Sequence, residues 1–262
     1  MVLISSKEFE TEFPSTWAYL LRNRRYLEQR EAGKMKGTQW YGFIYPKNLE
    51  LMSSPKLLVP DIADRASFAL DETGNYAFAS GYGITLRPDC GLSLKFILGI
   101  ANSRTLEFYW RQISTPLRGG FFRYFTQFIE QLPIPDCTRQ QQDVVETLVD
   151  YALWLRSQPS VSGTDPERPQ DAAVASFFEQ TINALVYELF FADQIRTGQS
   201  QLFELVKDAK LPAMESLQGR RADRLQALFE LFQILQSSGH PLRIALDRMQ
   251  TLDLVRTIEG NS

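Results

Sequence analysis

The feature that most constrains the fold is the segment Leu132-Pro133-Ile134-Pro135, where the character of the chain changes. Each proline restricts its own backbone and keeps the preceding residue out of the helical region, so two X-Pro steps in four residues stop regular structure. Short apolar and aromatic runs separated by turn residues come before this segment, and apolar residues at helical spacing follow it. We therefore predict a mixed domain over residues 1–135 and a helical C-terminal region over residues 136–262.

The first half predicts an α+β fold with a small mixed or antiparallel β-sheet and flanking helices. A strand is expected at residues 56–59, where Pro60 stops it, and the Gly-containing loop 71–75 between two apolar runs is typical of a β-hairpin. A further strand is expected near residues 83–86, and an aromatic strand or extended segment at residues 121–129. Helices are predicted at residues 15–32, 92–101 and 104–113.

The second half predicts a series of helices. Apolar residues such as Phe178, Ile182 and Leu185 cluster on one face of a helix in the strongest of these segments. Residues 157–171 are rich in Ser, Pro, Gly and charge, so we expect a flexible loop there. The predicted helices cover residues 140–156, 172–191, 202–209 and 221–236, and a last one that His240-Pro241 opens and that runs to about residue 249.

Catalytic motifs are missing from the sequence. An adenine methyltransferase grips the flipped base with an Asn/Asp-Pro-Pro-aromatic tetrapeptide, and this chain has no Pro-Pro dipeptide, no G-x-G-x-x-G segment and no Walker lysine motif. Asp61 and the distant Asp208-Ala209-Lys210 only mimic a nuclease signature, because the latter lies on a predicted helix in an acidic region. The one histidine, His240, is expected to cap a helix or lie on the surface. We therefore expect neither catalytic residues nor metal ligands in this chain.

The chain also lacks the marks of a membrane or secreted protein. It has no run of eighteen apolar residues, and its N-terminus lacks the basic start and apolar stretch of a signal peptide. Cys90 and Cys137 make neither a disulfide framework nor a metal-ligand set. These features favour a reducing, cytoplasmic setting.

Charge is distributed unevenly along the chain. Residues 15–125 contain 15 Lys and Arg against 9 Asp and Glu, whereas residues 136–262 contain 12 against 18, so the two stretches differ from neutrality by +6 and −6. One interpretation is that the basic half meets a polyanion and the acidic half does not. Ordinary fluctuation produces the same asymmetry, and charge alone does not separate the two interpretations.

Several motifs in the first half occur in an order and spacing that resemble a known family. They are Tyr45-Pro46-Lys47-Asn48-Leu49-Glu50-Leu51, Pro55-Lys56-Leu57-Leu58-Val59-Pro60-Asp61-Ile62-Ala63, Phe68-Ala69-Leu70-Asp71, Gly74-Asn75-Tyr76, Ile100-Ala101-Asn102-Ser103, the segment from Ser114 to Tyr124, and Leu132-Pro133-Ile134-Pro135. Over roughly residues 16–135 they resemble the TaqI-like C-terminal specificity domain of type IIG and related adenine-N6 DNA methyltransferases. The helix around residues 178–191 and the ending Ile258-Glu259-Gly260 are similar to the tail of those enzymes.

The resemblance implies a target-recognition domain that binds double-stranded DNA within a restriction-modification system. It also implies a methyltransferase domain, either N-terminal to this segment or on a separate chain, which would bind S-adenosylmethionine and perform the chemistry. We expect no cofactor in the present chain.

The first candidate for DNA contact is the loop at residues 114–124. Gly119 and Gly120 let the backbone approach a ligand closely, and Arg118 and Arg123 supply planar guanidinium donors. The remaining candidates in this loop are Ser114, Thr115 and Tyr124. The alternative is a connecting loop whose glycines merely permit a turn; the family resemblance favours DNA binding.

Further candidates lie earlier in the chain, and each has a plain structural alternative. Asn48 can read adenine or cap a helix, and Lys47 beside it can read guanine. Lys56 and Arg65 either bind phosphate or are solvated charges. The same alternatives hold for a basic helix face made of Arg22, Arg24 and Arg25. The aromatic residues Trp40, Tyr41, Phe43 and Tyr45 either stack on exposed bases or belong to the core, and we favour the core.

Three functions compete at this point. The first is a DNA-binding specificity module that works beside a methyltransferase. The second is a complete methyltransferase or nuclease, which the missing motifs oppose. The third is a protein-interaction subunit whose acidic helices dock on a separate catalytic chain, and this is compatible with the first.

Overall fold

The computed structural model describes residues 3–45, 48–158, 169–196 and 201–260. The chain is an α+β protein with small antiparallel sheets and a helical C-terminal region, which confirms the predicted fold class. It divides into two compact units. Unit 1 comprises Met1–Ser54 with Thr73–Ala77, and unit 2 comprises Pro55–Glu72 with Phe78–Ser262.

Unit 1 is built from short helices around an aromatic cluster. The helices are α1 (Ser6–Glu12), α2 (Pro14–Arg22), α3 (Arg24–Glu28) and α4 (Arg30–Gly33), followed by one 3₁₀ turn, Leu49–Leu51. The Trp17 ring lies 5.6 Å from that of Trp40 and 5.2 Å from that of Tyr41, and Trp40 is buried. Arg30 donates to the carbonyl oxygens of Trp40 and Gly42 at 2.8 and 3.0 Å, which ties the helices to the aromatic segment.

The single helix predicted at residues 15–32 is wrong in its continuity. Asn23, at φ −100° and ψ 7°, interrupts it, and Glu31 and Ala32 adopt the left-handed region at φ 49° and 55°. Side chains with a Cβ atom rarely adopt that conformation, so local sequence pattern gives no warning of it. The hydrogen bonds from Arg30 to the carbonyl oxygens of Trp40 and Gly42 are tertiary contacts that stabilise this bend.

Unit 2 contains two antiparallel sheets. Strand β1 (Lys56–Val59) lies between β3 (Ala69–Asp71) and β4 (Tyr82–Ile84), with Lys56 opposite Asp71 and Leu57 opposite Ile84. Strands β2 (Ile62–Ala63) and β5 (Phe122–Arg123) form a second, two-stranded ladder in which Ile62 is opposite Arg123. Segments some sixty residues apart along the chain are therefore hydrogen-bonded to each other.

The hairpin predicted around residues 71–75 is wrong. Strand β3 pairs with β1, and residues 76–79 form no strand. Thr73–Ala77 belongs to unit 1, where a Cβ atom on Gly74 would lie 2.1 Å from the carbonyl oxygen of Ser53. That close approach draws the turn toward Ser53, and the chain after it does not return alongside β3. The extended segment predicted at residues 121–129 is correct only for β5, since Thr126–Ile129 forms a helical turn, α7.

The predicted helices of unit 2 are confirmed. They are α5 (Leu94–Ala101), α6 (Arg104–Ile113), α8 (Arg139–Arg156), α9 (Pro169–Phe190), α11 (Leu202–Asp208), α12 (Arg221–Leu235) and α13 (Pro241–Met249). Two further short helices, α10 (Ala192–Arg196) and α14 (Asp253–Glu259), are not among the predicted ones. His240 caps α13 as expected, with its Nδ1 accepting from the Leu242 amide at 3.2 Å. No described helix is long and apolar enough to cross a membrane. The loop predicted at residues 157–171 lies mostly outside the described residues.

One hydrophobic core runs through unit 2. Phe96 and Ile100 of α5, Val145 of α8 and Phe178 of α9 are all buried in it. A Cβ atom on Gly99 would come within 3.0 Å of the Val145 and Val149 side chains, so glycine permits α5 to pack closely on α8. The helices on both sides of Pro135 therefore share this core. The domain division at residue 135 stays a prediction.

Three buried tyrosines are expected to make the folded state less stable at alkaline pH. Burial raises the pKa of Tyr124, Tyr151 and Tyr187 above the ordinary value of about 10. Because the folded state keeps these phenols protonated, their contribution to stability is present below pH 10 and is lost as the pH rises further. We expect a cooperative loss of helical circular dichroism above pH 10, together with a late step in phenolate absorbance. Smooth ionisation of all tyrosines near pH 10 with the helices intact would contradict this.

Candidate nucleic-acid interface

Residues 114–123, called here the basic hairpin, fold back on themselves so that residues 114–117 pair with residues 121–123. The Ser114 hydroxyl donates to the Arg123 carbonyl oxygen at 2.5 Å, and the Arg123 amide donates to the Thr115 carbonyl oxygen at 3.3 Å. Further out, the Leu117 amide donates to the Phe121 carbonyl oxygen at 2.7 Å. These bonds close the hairpin and leave Arg118–Gly120 as its tip.

The tip is open to solvent, and its backbone requires glycine. Gly119 and Gly120 both have φ of 79°, in the left-handed region that residues with a Cβ atom rarely adopt. A Cβ atom on Gly120 would meet nothing within 4 Å, so conformation and not crowding explains the glycine. Arg118 is exposed, and its guanidinium makes no ion pair or hydrogen bond with the part of the chain that the structure describes.

The base of the hairpin is anchored in the core of unit 2. The Tyr124 amide donates to the Asp61 carbonyl oxygen at 2.9 Å, and the Tyr124 hydroxyl donates to the Arg65 carbonyl oxygen at 2.7 Å. The Tyr124 ring lies 3.4 Å from that of Trp110, centroid to centroid, and both residues are buried. Tyr124 is therefore a structural residue, and its predicted DNA contact is wrong. The same correction applies to Ser114, which is buried and whose hydroxyl is bonded to Arg123.

Arg123 forms an ion pair that sequence reasoning missed. Its Nη1 lies 2.9 Å from Oδ2 of Asp61, and the two side chains are 32% and 35% exposed. The guanidinium also lies over the ring of Phe125, 5.1 Å from the centroid. The Tyr82 hydroxyl donates to the other Asp61 oxygen at 3.4 Å, and burial, followed by the Asp61 charge, raises the pKa of Tyr82. Asp61 and Arg123 are far apart in sequence, and only the β2–β5 pairing brings them together.

Comparison with known proteins bears on this site. Residues 10–134 match the family described as the TaqI-like C-terminal specificity domain. The match confirms, over this part of the chain, the resemblance that the sequence motifs indicated. The basic hairpin and the Asp61–Arg123 pair both lie within the matched range.

Curated relatives of the chain are type II methyltransferases. M.BanIII of Aneurinibacillus aneurinilyticus is 28% identical over 141 residues, which cover 53% of this chain and 24% of the relative. M.BstVI of Geobacillus stearothermophilus is 25% identical over 147 residues, with 56% and 26% covered. M.XhoI of Xanthomonas vasicola is 28% identical over 141 residues, with 54% and 25% covered. The chain thus spans about a quarter of the length of these relatives.

Lys56 is not available to DNA. Its side chain is 2% exposed and forms a buried ion pair with Asp71, the residue opposite it on β3. Because the side chain is buried within the fold, it does not face solvent. The predicted phosphate contact of Lys56 is therefore wrong.

The other early candidates differ in their surroundings. Arg65 is exposed, as a phosphate contact requires. Asn48 is exposed at φ 49°, just before the 3₁₀ turn Leu49–Leu51, and its side chain makes no capping hydrogen bond with any described residue. Lys47 lies outside the described residues. DNA binding by Arg65, Asn48 and Lys47 stays a prediction.

The arginines and aromatics of unit 1 divide between core and surface. Arg24 pairs with Glu28 at 2.8 Å and lies over the Trp40 ring. Arg22 donates to its own helix at 3.4 Å, and Arg25 is exposed. Trp40 is in the core as favoured, and the half-buried Tyr41 packs on Trp17. By contrast, Phe43 and Tyr45 are exposed, although we expected both in the core.

Clustered metal ligands are not found in the described ranges, where no group of three or more His, Cys, Asp or Glu side chains is placed to hold a metal ion. Asp61, one half of the nuclease-like signature, is engaged with Arg123 and Tyr82. The arrangement at this surface is suited to binding an anionic or hydrogen-bonding ligand.

Proposed function

We propose that this chain is a sequence-specific DNA-recognition module of an adenine-N6 methyltransferase in a restriction-modification system of the type IIG or a related kind. The observation that carries the proposal is the exposed Arg118-Gly119-Gly120 tip on an anchored hairpin, within a specificity domain whose relatives are type II methyltransferases. Double-stranded DNA is the proposed ligand.

The shape of the basic hairpin supports this function. The major groove of B-DNA is about 12 Å wide and admits a two-stranded β-ribbon. The hydrogen bonds at Ser114, Thr115 and Leu117 hold the two arms of the hairpin together, and Gly119 and Gly120 add no side chains beside Arg118 at its tip. Because β2 pairs with β5 at the base, only the part of the hairpin beyond Phe122 is a two-stranded ribbon. Arg118 at the tip is free to reach phosphate, while Arg123 nearer the base is already oriented. One free arginine and one oriented arginine suit a protein that must both hold the DNA phosphates and read base edges.

We propose that methyl transfer takes place in a part of the enzyme that the present sequence does not contain. The relatives are about four times as long as the segment they share with this chain. The 262 residues contain neither a Pro-Pro dipeptide nor a G-x-G-x-x-G segment, so they offer no recognisable set of residues for S-adenosylmethionine or a flipped adenine. An N-terminal or separate methyltransferase domain is the proposed partner.

The protein-interaction alternative is favoured by one observation. Residues 136–262 carry 12 Lys and Arg against 18 Asp and Glu, which opposes contact with a polyanion. We propose that this helical region faces the catalytic domain while the specificity domain faces DNA. A chain that binds a methyltransferase domain and shows no affinity for DNA at low salt would favour interaction as its whole function.

Arg118→Ala is expected to weaken binding to every duplex by a similar factor, because a phosphate contact carries no sequence information. Each phosphate contact adds about 0.9 to the slope of log affinity against log salt, so the slope should fall by about that amount. Fluorescence anisotropy with a labelled duplex at several salt concentrations measures both quantities.

The matched control is Arg220→Ala, which removes an arginine that is 91% exposed in the acidic half. It should leave the salt slope unchanged. An unchanged slope in Arg118→Ala would contradict a phosphate contact by the tip, and no binding of the parent chain to any duplex at low salt would contradict the proposed function.

A further inference from the structure

The two arginines of the basic hairpin differ in how firmly their side chains are oriented. Arg118 has no partner among the described residues, whereas Arg123 is fixed from three sides. Its backbone is paired with Ile62, its guanidinium bonds Asp61 at 2.9 Å, and the ring of Phe125 lies beneath it at 5.1 Å. A side chain that is oriented before it meets a ligand loses less rotamer freedom on binding. Arg123 is therefore preorganised, and Arg118 is not.

Asp61 is itself held in place. Its carbonyl oxygen accepts the Tyr124 amide at 2.9 Å, and its carboxylate accepts the Tyr82 hydroxyl at 3.4 Å on the oxygen that Arg123 does not use. Tyr124 in turn is locked against Trp110 in the core. The orientation of the Arg123 guanidinium is thus transmitted from the core through Asp61. The two side chains are 32% and 35% exposed, and an ion pair this accessible to solvent contributes little to stability.

The chemistry of the pair favours a base edge over a phosphate. Asp61 neutralises the charge of Arg123, which reduces its attraction to phosphate but leaves N–H donors on the guanidinium that the Nη1 bond to Asp61 does not occupy. Two parallel N–H donors match the O6 and N7 acceptors that guanine presents in the major groove. The side chain is 32% exposed, so these donors are accessible.

We propose that Arg123 reads a guanine and that Asp61 is the positioning residue that makes this reading selective. This inference rests on the proposed function and deepens it, since it assigns general affinity to Arg118 and base selection to the Asp61–Arg123 pair. It predicts that a G·C pair occurs in the recognised sequence at the position that Arg123 contacts.

The test is selection of bound duplexes from a randomised pool by the 262-residue chain, followed by affinity measurements on the best duplex and on its G·C-to-A·T variants. Asp61→Asn removes the charge that opposes phosphate but leaves Arg123 less well oriented. We expect it to bind unrelated duplexes more tightly than the parent does, while its preference for the guanine falls about tenfold. Loss of a merely structural contact would lower affinity for all duplexes together.

Two further variants keep the proposal falsifiable. Arg123→Lys keeps the charge and loses the planar fork, so it should keep its affinity for unrelated DNA and lose the guanine preference. Asp247→Asn is the control, because it removes one carboxylate from a surface ion pair with Arg243 and changes the net charge equally. It should leave base preference unchanged. Melting temperatures close to that of the parent establish that each variant is folded.

The outcomes separate the two proposals. If the parent selects a sequence and both Asp61→Asn and Arg123→Lys retain the same base preference, the inference is overturned and the proposed function stands. Binding without any base preference in the parent overturns the inference and also the sequence specificity of the proposed function, and it leaves only general DNA binding standing. If the parent binds no duplex at low salt, the proposed function fails and the inference fails with it.

Discussion

Replacing Lys56 by methionine is expected to lower the free energy of unfolding by about 3–5 kcal/mol. Lys56 forms an ion pair with Asp71, and both side chains are almost completely buried between the strands β1 and β3. Methionine fills much of the same space but leaves the Asp71 carboxylate without its cationic partner in a poorly solvated site. The cost of keeping this charge buried without the Lys56 ammonium exceeds the loss of packing.

Urea unfolding followed by circular dichroism measures this loss. The double variant Lys56→Met/Asp71→Leu should recover much of the stability, because neither charge of the pair is then buried. Arg243→Met, which breaks the surface pair with Asp247, is the control and should cost less than about 1 kcal/mol. If Lys56→Met were as mild as this control, the buried pair would not have the structural role assigned to it.

Trp110→Ala is expected to cost about 3–5 kcal/mol, the range for deleting a large buried aromatic side chain. Trp110 is 2% exposed, lies against Tyr124 and packs 5.7 Å from the ring of Phe122. Its removal takes away the support under the basic hairpin. We therefore expect the variant to lose base preference in duplex selection even at temperatures where it remains folded.

Trp110→Phe tests the contribution of ring packing alone. The indole Nε1 of Trp110 is buried and makes no hydrogen bond with any described residue, so phenylalanine removes ring area without removing a polar contact. Its stability loss should be less than half that of Trp110→Ala. Trp154→Ala, at a half-buried position on α8, should also cost less and leave base preference unchanged. Equal losses in all three variants would contradict a specific role for Trp110.

The helices of unit 2 could be predicted because their information is local. Periodic apolar residues and a proper cap such as His240 define α8, α9, α12 and α13 without reference to the rest of the chain. The predicted hairpin around residues 71–75 failed because strand pairing depends on partners elsewhere. Strand β3 has a better partner in β1, and Gly74 approaches Ser53 instead.

The candidate site was predictable to the extent that turn chemistry determines it. Two consecutive glycines beside Arg118 indicated an exposed tip, and the structure has one. Lys56 and Tyr124 were misassigned because a residue's type does not tell whether its side chain faces the core. Asp61 was overlooked as a partner of Arg123 because the ladder that joins them pairs segments that no local pattern connects.

The pairing of β2 with β5 has a consequence for redesign. The two members of the ion pair are 62 positions apart in sequence, yet each limits which residues the other position tolerates. Exchanging Arg123 alone for a neutral side chain would leave the Asp61 carboxylate without its cationic partner. Its negative charge would then repel the DNA duplex. A change of preferred base at this point is therefore expected to require simultaneous substitutions in both segments, and grafting the hairpin without residues 61–63 should transfer its affinity but not its selectivity.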